Sequence, residues 1–489
     1  MENTKFSLFS FTGKMKVLHL SWMAFFITFV VWFNFAPMLQ MVKTSLGLST
    51  EEIKTLLILN VALTIPARVV VGMLTDKYGP RIVYSALLAV CSIPCFMFAF
   101  SDSFIQAAIA RFLLGFIGAG FVVGIRLVSE WFPHDELGTA EGIYGGWGNF
   151  GSAAAAFTLP TLALLFGGDD GWRYAVAITG VMSLAFSFIF YKNVSDTPKG
   201  STYFKPTHLS AMEVTSKGDF FMLLVMKIPM YAALALLAWK VSPAGIGMLS
   251  ETAVRGIYVA LVALYLYEVT QVWKVNKSVF SEPVPEIHQY KFKQVAVLNV
   301  LYFATFGSEL AVVSMLPLFF SETFELTPVM AGMVASAYAF MNLMSRPGGG
   351  WISDKFGRKS TLLILTAGLA VGYFVMGQVD SQWPLWLAVT AAMVCSFFVQ
   401  AGEGAVFATV PLIKRRMTGQ IAGMTGAYGN VGAVVYLTVL SLVDYQTFFF
   451  VIAGTAVLGF SALLIMEEPK GQITEINEDG SVTLINVSH

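Results

Sequence analysis

Charge is what this chain has least of. Asp, Glu, Lys and Arg make up 12% of its 489 residues, about half the share usual in a soluble domain. With 56% hydrophobic residues and a mean hydropathy of +0.70, that scarcity points away from a soluble enzyme and towards the bilayer. Histidine is scarcer still, with five in the chain. His134, His208, His288 and His489 fall outside the long apolar runs and His19 stands near the start of the first, so no histidine relay is expected. The three cysteines, Cys91, Cys95 and Cys395, all lie inside apolar runs. Cys91 and Cys95 share a helix face without His or carboxylate neighbours; that is a poor metal site, and they read as packing residues. "GFIGAG" at 115–120 is also inside an apolar run, so no nucleotide motif, cofactor or ATP-driven pump is read. No small-residue cleavage site precedes the first run, and no signal peptide is expected. The net charge of zero gives no reason to expect a nucleic-acid partner.

What the chain has in abundance is apolar length. A bilayer crossing takes roughly 20 apolar residues, and segments near 17–40, 52–75, 82–100, 104–131, 139–166 and 172–191 each suffice. So do segments near 293–320, 328–352, 360–378, 384–411, 418–443 and 446–466. Two sets of six imply an all-α membrane protein and a polytopic transporter. Lys77 and Arg81, Lys192 and Lys199, Lys274 and Lys277, Lys355 to Lys359, and Lys414 to Arg416 fall in alternate loops. Excess Lys and Arg marks cytoplasmic loops, so both termini are expected in the cytoplasm, on a monomer in the cell (inner) membrane.

The chain repeats itself. "RVVVGMLTDKYGPR" at 68–81 returns as "RPGGGWISDKFGRK" at 346–359, an offset of 278 residues. "GGWGNFG" at 145–151 returns as "GAYGNVG" at 426–432, an offset of 281. Residues 1–191 and 293–466 therefore read as two copies of one six-helix unit. Tandem halves with a site near the bilayer midplane characterise secondary transporters. The linker 192–292 holds two further apolar runs, about 219–240 and 251–273. They form either a membrane hairpin, the preferred reading, or a pair of interfacial helices, since Lys227 and Pro229 interrupt the first and Arg255 and Glu268 bound the second. In the tail, 467–489, apolar and polar residues alternate on both sides of an Asp-Gly, which is a β-hairpin signal.

Arg68 and Arg346 occupy equivalent places, eight residues before Asp76 and Asp354. Eight residues of helix rise about 12 Å, close to half of a ~30 Å hydrocarbon core. Both guanidinium groups are thus expected near the midplane, one from each half, where a charge is costly and usually functional. Neither has an acid three or four positions away. Two unpaired cations call for an anion; the alternative is that each pairs with a distant acid or carbonyl. The Gly-Asn frames suit a narrow slot, with glycines for close packing and an amide to orient a small acceptor. Tyr302, Phe306 and Glu309 are spaced i, i+4, i+7 and line one helix face. A carboxyl there suits reversible protonation, and equally suits a salt bridge to Arg346 or Arg111. Arg126 and Glu130 read as a local i, i+4 pair, and Glu403 has no assigned role.

The loop G-x-x-x-D-K/R-x-G-x-R/K, with Gly72, Asp76 and Arg81 in one copy and Gly350, Asp354 and Arg358 in the other, resembles the signature of the major facilitator superfamily. That resemblance implies the major facilitator fold. Its glycines would allow close helix contact, and its acids would cap the next helix or pair across the cytoplasmic gate. "GGWGNFG", "GAYGNVG" and "LYFATFGSELAV" at 301–312 are similar to the signature segments of the nitrate/nitrite porter (NarK-like) family. The resemblance places that family's anion-binding arginines at Arg68 and Arg346, and its aromatic lining at Phe121, Tyr302 and Phe306. Its signature residues fall on Gly148, Asn149, Gly429 and Asn430. It implies nitrate, and nitrite, as cargo, with "FGSEL" closer to proton-coupled symporters and Glu309 as the coupling carboxyl. A nitrate/nitrite exchanger and a transporter-derived anion sensor stay open as alternatives.

Overall fold

The computed structural model describes residues 7–468 apart from 133, 169, 201–202, 204–210, 283, 285–288 and 415–416, together with 472–476 and 482–486. His208, His288, His489, Arg416 and the Asp-Gly of the tail lie outside the described residues.

An apolar run in hydrocarbon must satisfy its own backbone, and it does so as helix. In the first half the helices are Gly13–Phe33 (α1), Leu39–Leu46 (α2), Thr50–Ala62 (α3), Thr64–Tyr78 (α4) and Pro80–Ala99 (α5). Phe104–Leu114 (α6), Gly120–Trp131 (α7), His134–Phe166 (α8) and Gly171–Asn193 (α9) complete it. The linker contributes Lys217–Lys240 (α10) and Glu251–Asn276 (α11). The second half contains Phe292–Ala304 (α12), Phe306–Phe324 (α13), Pro328–Phe340 (α14), Asn342–Phe356 (α15) and Arg358–Met376 (α16). Leu385–Thr409 (α17), Thr418–Leu440 (α18) and Tyr445–Leu464 (α19) follow.

Several of these helices are halves of one span. The α3/α4 break falls at Leu63 and the α14/α15 break at Met341, the same 278-residue offset as the loops. Each break comes five residues before its arginine. The α12/α13 break at Thr305 separates Tyr302 from Phe306, and a 3-10 turn, Gly115–Ala119, separates α6 from α7. Interrupted helices at mid-depth occur where the loosened backbone faces protein rather than lipid. All four breaks lie beside the buried polar residues.

Among the described residues, twelve helices are long and apolar enough to cross a membrane by length and composition. That set includes both linker helices and leaves out 328–356 and α18, whose glycines, asparagines and Arg346 dilute their apolarity. With those two segments the halves hold six spans each, arranged as two bundles. They meet along two seams: α8 runs against α14 and α15, and α18 runs against α3 and α4.

The repeated loops follow one plan. Gly79 and Gly357 take φ of +87° and +95°, a region that favours glycine. The helix after each is capped from the end of its own bundle. Asp196 accepts from the Arg81 backbone N–H at 2.7 Å, and Glu468 accepts from those of Arg358 and Lys359 at 2.6 and 2.7 Å. The loop acids do not do this, contrary to one sequence expectation. Asp76 pairs with Arg126 at 3.6 Å, and Asp354 pairs with Arg358. Both pairs stay within one half. Beyond α19, hydrogen bonds from Lys291 and Lys293 hold the exposed Glu467 carboxyl down to about 2.

Of the linker helices, α10 lies against α3, α12 and α18, and α11 lies against α10. Lys227, which interrupts the first run, meets Glu268 of the second, and Tyr231 donates to the same carboxylate at 2.8 Å. Lys240 pairs with Glu51 at the start of α3 at 2.9 Å. In the tail, Gln472–Ile476 (β1) and Val482–Asn486 (β2) pair antiparallel, with Thr474 opposite Leu484.

Close packing within each bundle rests on the last glycine of each frame. A Cβ on Gly151 would come 2.2 Å from the Phe26 carbonyl oxygen of α1, and one on Gly432 would come 2.4 Å from that of Phe303 in α12. These are backbone obstacles that no rotamer change removes. Gly151→Ala and Gly432→Ala should each cost about 1–3 kcal/mol through overpacking. Gly423→Ala, on the same helix as Gly432 and with nothing within 4 Å, should cost little. Thermal unfolding of the purified variants in detergent checks this ranking.

Candidate functional site

Arg68 of α4 and Arg346 of α15 are brought to the same place, at the seam between the bundles. Arg68 is fully buried and Arg346 is 2% exposed. The Arg68 guanidinium carbon lies 5.4 Å from the Phe121 ring centre and 5.0 Å from that of Phe306. For Arg346 the same two distances are 5.3 and 5.8 Å. Two cations thus share two aromatic faces, one ring from α7 and one from α13. Such contacts are worth more when desolvated.

The two arginines are compensated differently. Arg346 Nη1 donates to Glu403 of α17 at 2.5 Å, and its Nη2 donates to the Tyr302 hydroxyl at 3.0 Å. The reading of two unpaired cations is therefore corrected for Arg346. Its counter-ion is 57 positions away on another helix, beyond the reach of local spacing. Among the described residues Arg68 meets no carboxylate directly; Nη1 donates to the Gly426 carbonyl at 2.5 Å, while Nε and Nη2 are buried without a partner. Orphaned donors on a buried charge are costly, and a bound anion would relieve that cost.

Glu309 is 1% exposed and bonds to neither Arg346 nor Arg111. Its carboxylate accepts from Asn342 Nδ2 of α15 at 2.5 Å and from Asn149 Nδ2 of α8 at 3.2 Å. Asn149 therefore reaches across the seam to a carboxylate. Asn430 donates to the Gly426 carbonyl one turn back at 3.2 Å. Arg111 is held by three carbonyl oxygens within the first bundle, from Asn34, Trp32 and Asn60 at 2.6–2.7 Å. It takes no part in this cluster.

The repeated frames have one arrangement in common. A Cβ on Gly145 would come 2.7 Å from Arg346 Nε, and one on Gly426 would come 2.8 Å from Arg68 Nη1. The first glycine of each frame thus makes room for the arginine of the opposite half. The next glycine that the two frames share receives an aromatic ring: Gly148 that of Phe25, and Gly429 those of Phe306 and Tyr302. By contrast Gly72 and Gly350 meet only ordinary contacts, at 3.5 and 3.7 Å. The tight crossing expected of them is found at Gly349 and Gly404, where a Cβ would come 2.0 Å from a facing carbonyl oxygen.

Three site residues escape sequence reasoning: Glu403, Asn342 and Phe407. The Phe407 ring packs edge-on against Phe121 and Tyr302, both with centroids 4.9 Å away, and so links the aromatic lining of the two halves. A signal for it exists in "GAGF" at 118–121 and "GAVF" at 404–407. Tyr302 and Phe306 stack at 5.0 Å across the α12/α13 break. Above and below the cluster, α8 stays against its neighbours. A Cβ on Gly332 would come 2.5 Å from the Ala156 carbonyl, and one on Gly142 would come 3.0 Å from Pro347 Cα. The α8 side of the seam is thus closed, whereas along α4 and α18 a cavity of about 300 Å³, lined by Gly72, Asp76, Arg126 and Gly423, reaches Arg68.

The arrangement favours a small, flat oxyanion. Forked guanidinium donors meet a planar oxyanion edge-on, and the two phenyl faces admit nothing bulky. Comparison with known proteins agrees with this geometry. The chain matches the Major Facilitator Superfamily over residues 21–272 and 298–486. It is 47% identical to the nitrate/nitrite transporter NrtP of Picosynechococcus sp. over 96% of each chain. It is 28% identical to the high-affinity nitrate transporter 2.3 of Oryza sativa, over 89% of this chain and 74% of that one. Its fold is similar to that of the xylose transporter XylE from E. coli, with a TM-score of 0.61 at 16% identity, covering 94% of this chain and 99% of that one. The chain belongs to the Major Facilitator Superfamily and, within it, to the nitrate/nitrite porter family.

Proposed function

We propose that this chain imports nitrate, and nitrite with it, by alternating access and in symport with protons. It would do so as a monomer in the inner membrane with both termini in the cytoplasm. The observation that carries the reading is the pair of buried guanidinium groups, one from each bundle, held between Phe121 and Phe306. A ligand bridging Arg68 and Arg346 bridges the two bodies that rock against each other. Relatives named as nitrate or nitrate/nitrite transporters support the choice of anion. Nitrate is charged at every physiological pH, so accumulation against a negative-inside potential needs a coupling ion. Glu309, buried beside the cluster and tied to both halves through Asn149 and Asn342, supports a proton in that role. The test is nitrate flux into proteoliposomes with the proton gradient imposed or collapsed. Uptake that ignores the gradient but requires internal nitrite would replace symport with exchange, and no flux at all would remove the transporter reading.

Arg68→Lys and Arg346→Lys should each lower nitrate transport although the charge is retained. A lysine cannot reproduce the fork. Each hydrogen bond to a charged group that it fails to make is worth about 1.5–3 kcal/mol, roughly ten- to a hundredfold. Wild-type flux in either variant would refute the clamp. Glu309→Gln should retain nitrate exchange between the two sides and lose acceleration by an inward proton gradient. Flux assays run in parallel with and without the gradient distinguish this from a purely structural role, which would depress both.

A further inference from the structure

Glu403 is the carboxylate with which a bound anion would compete for Arg346. Arg346 has two outward N–H ends: Nη1 is on the Glu403 carboxylate at 2.5 Å and Nη2 is on Tyr302. An oxyanion that bridges the orphaned Nε and Nη2 of Arg68 to Arg346 meets a guanidinium already engaged by the Glu403 carboxylate. We propose that Glu403 is the anion-linked proton site: the incoming anion displaces its carboxylate from Arg346, and the displaced carboxylate binds a proton. The inference rests on the anion-transport reading above and moves the coupled proton from Glu309 to Glu403, with Glu309 staying a charged carboxylate held by Asn149 and Asn342.

Among the described residues, the surroundings of Glu403 offer it no second counter-ion beyond the two arginines. It is fully buried, and its Oε1 has no hydrogen-bond donor. The charged and titratable groups within electrostatic reach are Arg346 from α15, Arg68 from α4, Glu309 from α13 and Tyr302 from α12. On α8, Asn149 is committed to Glu309, and Tyr144 donates to the Gly120 and Phe121 carbonyls. Tyr338 of α14 and Tyr373 of α16 are bonded to one another at 2.7 Å. The neutral donor left nearby is the Tyr302 hydroxyl, which accepts from Arg346, and Glu309 beside Glu403 has the same sign. Counting formal charges, two arginines balance two carboxylates in the empty cluster, and a monovalent anion leaves it one negative charge in excess. One proton restores neutrality in a buried cluster, where an uncompensated charge is costly.

The step is an acid–base reaction only. A proton from water on the outer side bonds a Glu403 carboxylate oxygen as the anion takes Arg346. It returns to water on the inner side when the anion leaves and Arg346 recovers its counter-ion.

The test uses the purified full-length chain in detergent, titrated with nitrate at a series of pH values. If one proton is bound with each anion, affinity should strengthen by about tenfold for each unit the pH falls, over the range in which Glu403 titrates. Glu403→Gln, which carries a permanent proton mimic, should bind nitrate with one pH-independent affinity, and Glu403→Asp should restore the slope. Infrared difference spectra on nitrate addition supply a second readout in wild type alone: a carboxylic acid C=O band should appear, and should be missing in Glu403→Gln. Nitrate binding with a flat pH profile in wild type, or a full slope in Glu403→Gln, overturns this inference and leaves the functional reading standing. Failure to bind nitrate at any pH counts against that reading itself.

Discussion

Two guanidinium groups held away from water at the meeting face of two helical bundles set the terms for everything around them. Removing a charge from water is among the largest costs a fold can carry. Here it is met unevenly. Arg346 has Glu403 and Tyr302, whereas Arg68 has one carbonyl, two phenyl faces and two orphaned nitrogen positions. The Arg68 side is the part of the cluster that remains unsatisfied, and it faces a donor already on loan to a carboxylate. Such a centre is stable enough to fold and unsatisfied enough to bind.

The duplication explains how the chain reaches this arrangement. Each half supplies an arginine and a Gly-Asn frame, and the arginine of one half packs on the frame of the other. The frame is therefore less a binding motif than a socket, with its first glycine for the guanidinium, its second for an aromatic ring and its third for a neighbouring backbone. Symmetry then gives way where chemistry requires it. Tyr302, Glu309, Asn342 and Glu403 all belong to the second half, so both carboxylates of the cluster come from one bundle. The first half answers with Asn149, whose amide ties Glu309 to the opposite bundle.

Much of this was legible in the sequence, for reasons that can be named. Span count followed from apolar length, and the equivalence of the halves from the 278- and 281-residue offsets. The arginines stood out because a charge in an apolar run is rare. What stayed hidden was pairing between helices. Nothing in "QAGEGAVF" says that Glu403 meets Arg346, because the two come together only when α17 packs on α15. The asparagines were found as residues, but Asn149 proved to serve a carboxylate and Asn430 its own helix. Gly72 and Gly350 were expected at tight crossings that the chain makes instead at Gly349 and Gly404. Lys227 and Glu268 each looked like an interruption in the linker until the two helices were laid side by side.

The central claim is that a small anion is held jointly by Arg68 and Arg346, between Phe121 and Phe306. A structure determined with nitrate bound tests it most directly. The expected result is a flat trigonal density bridging the two guanidinium groups, with the Arg346–Glu403 pair opened. Nitrate bound elsewhere would contradict it, and nitrate between the arginines with that pair still closed at 2.5 Å would contradict only the displacement of Glu403.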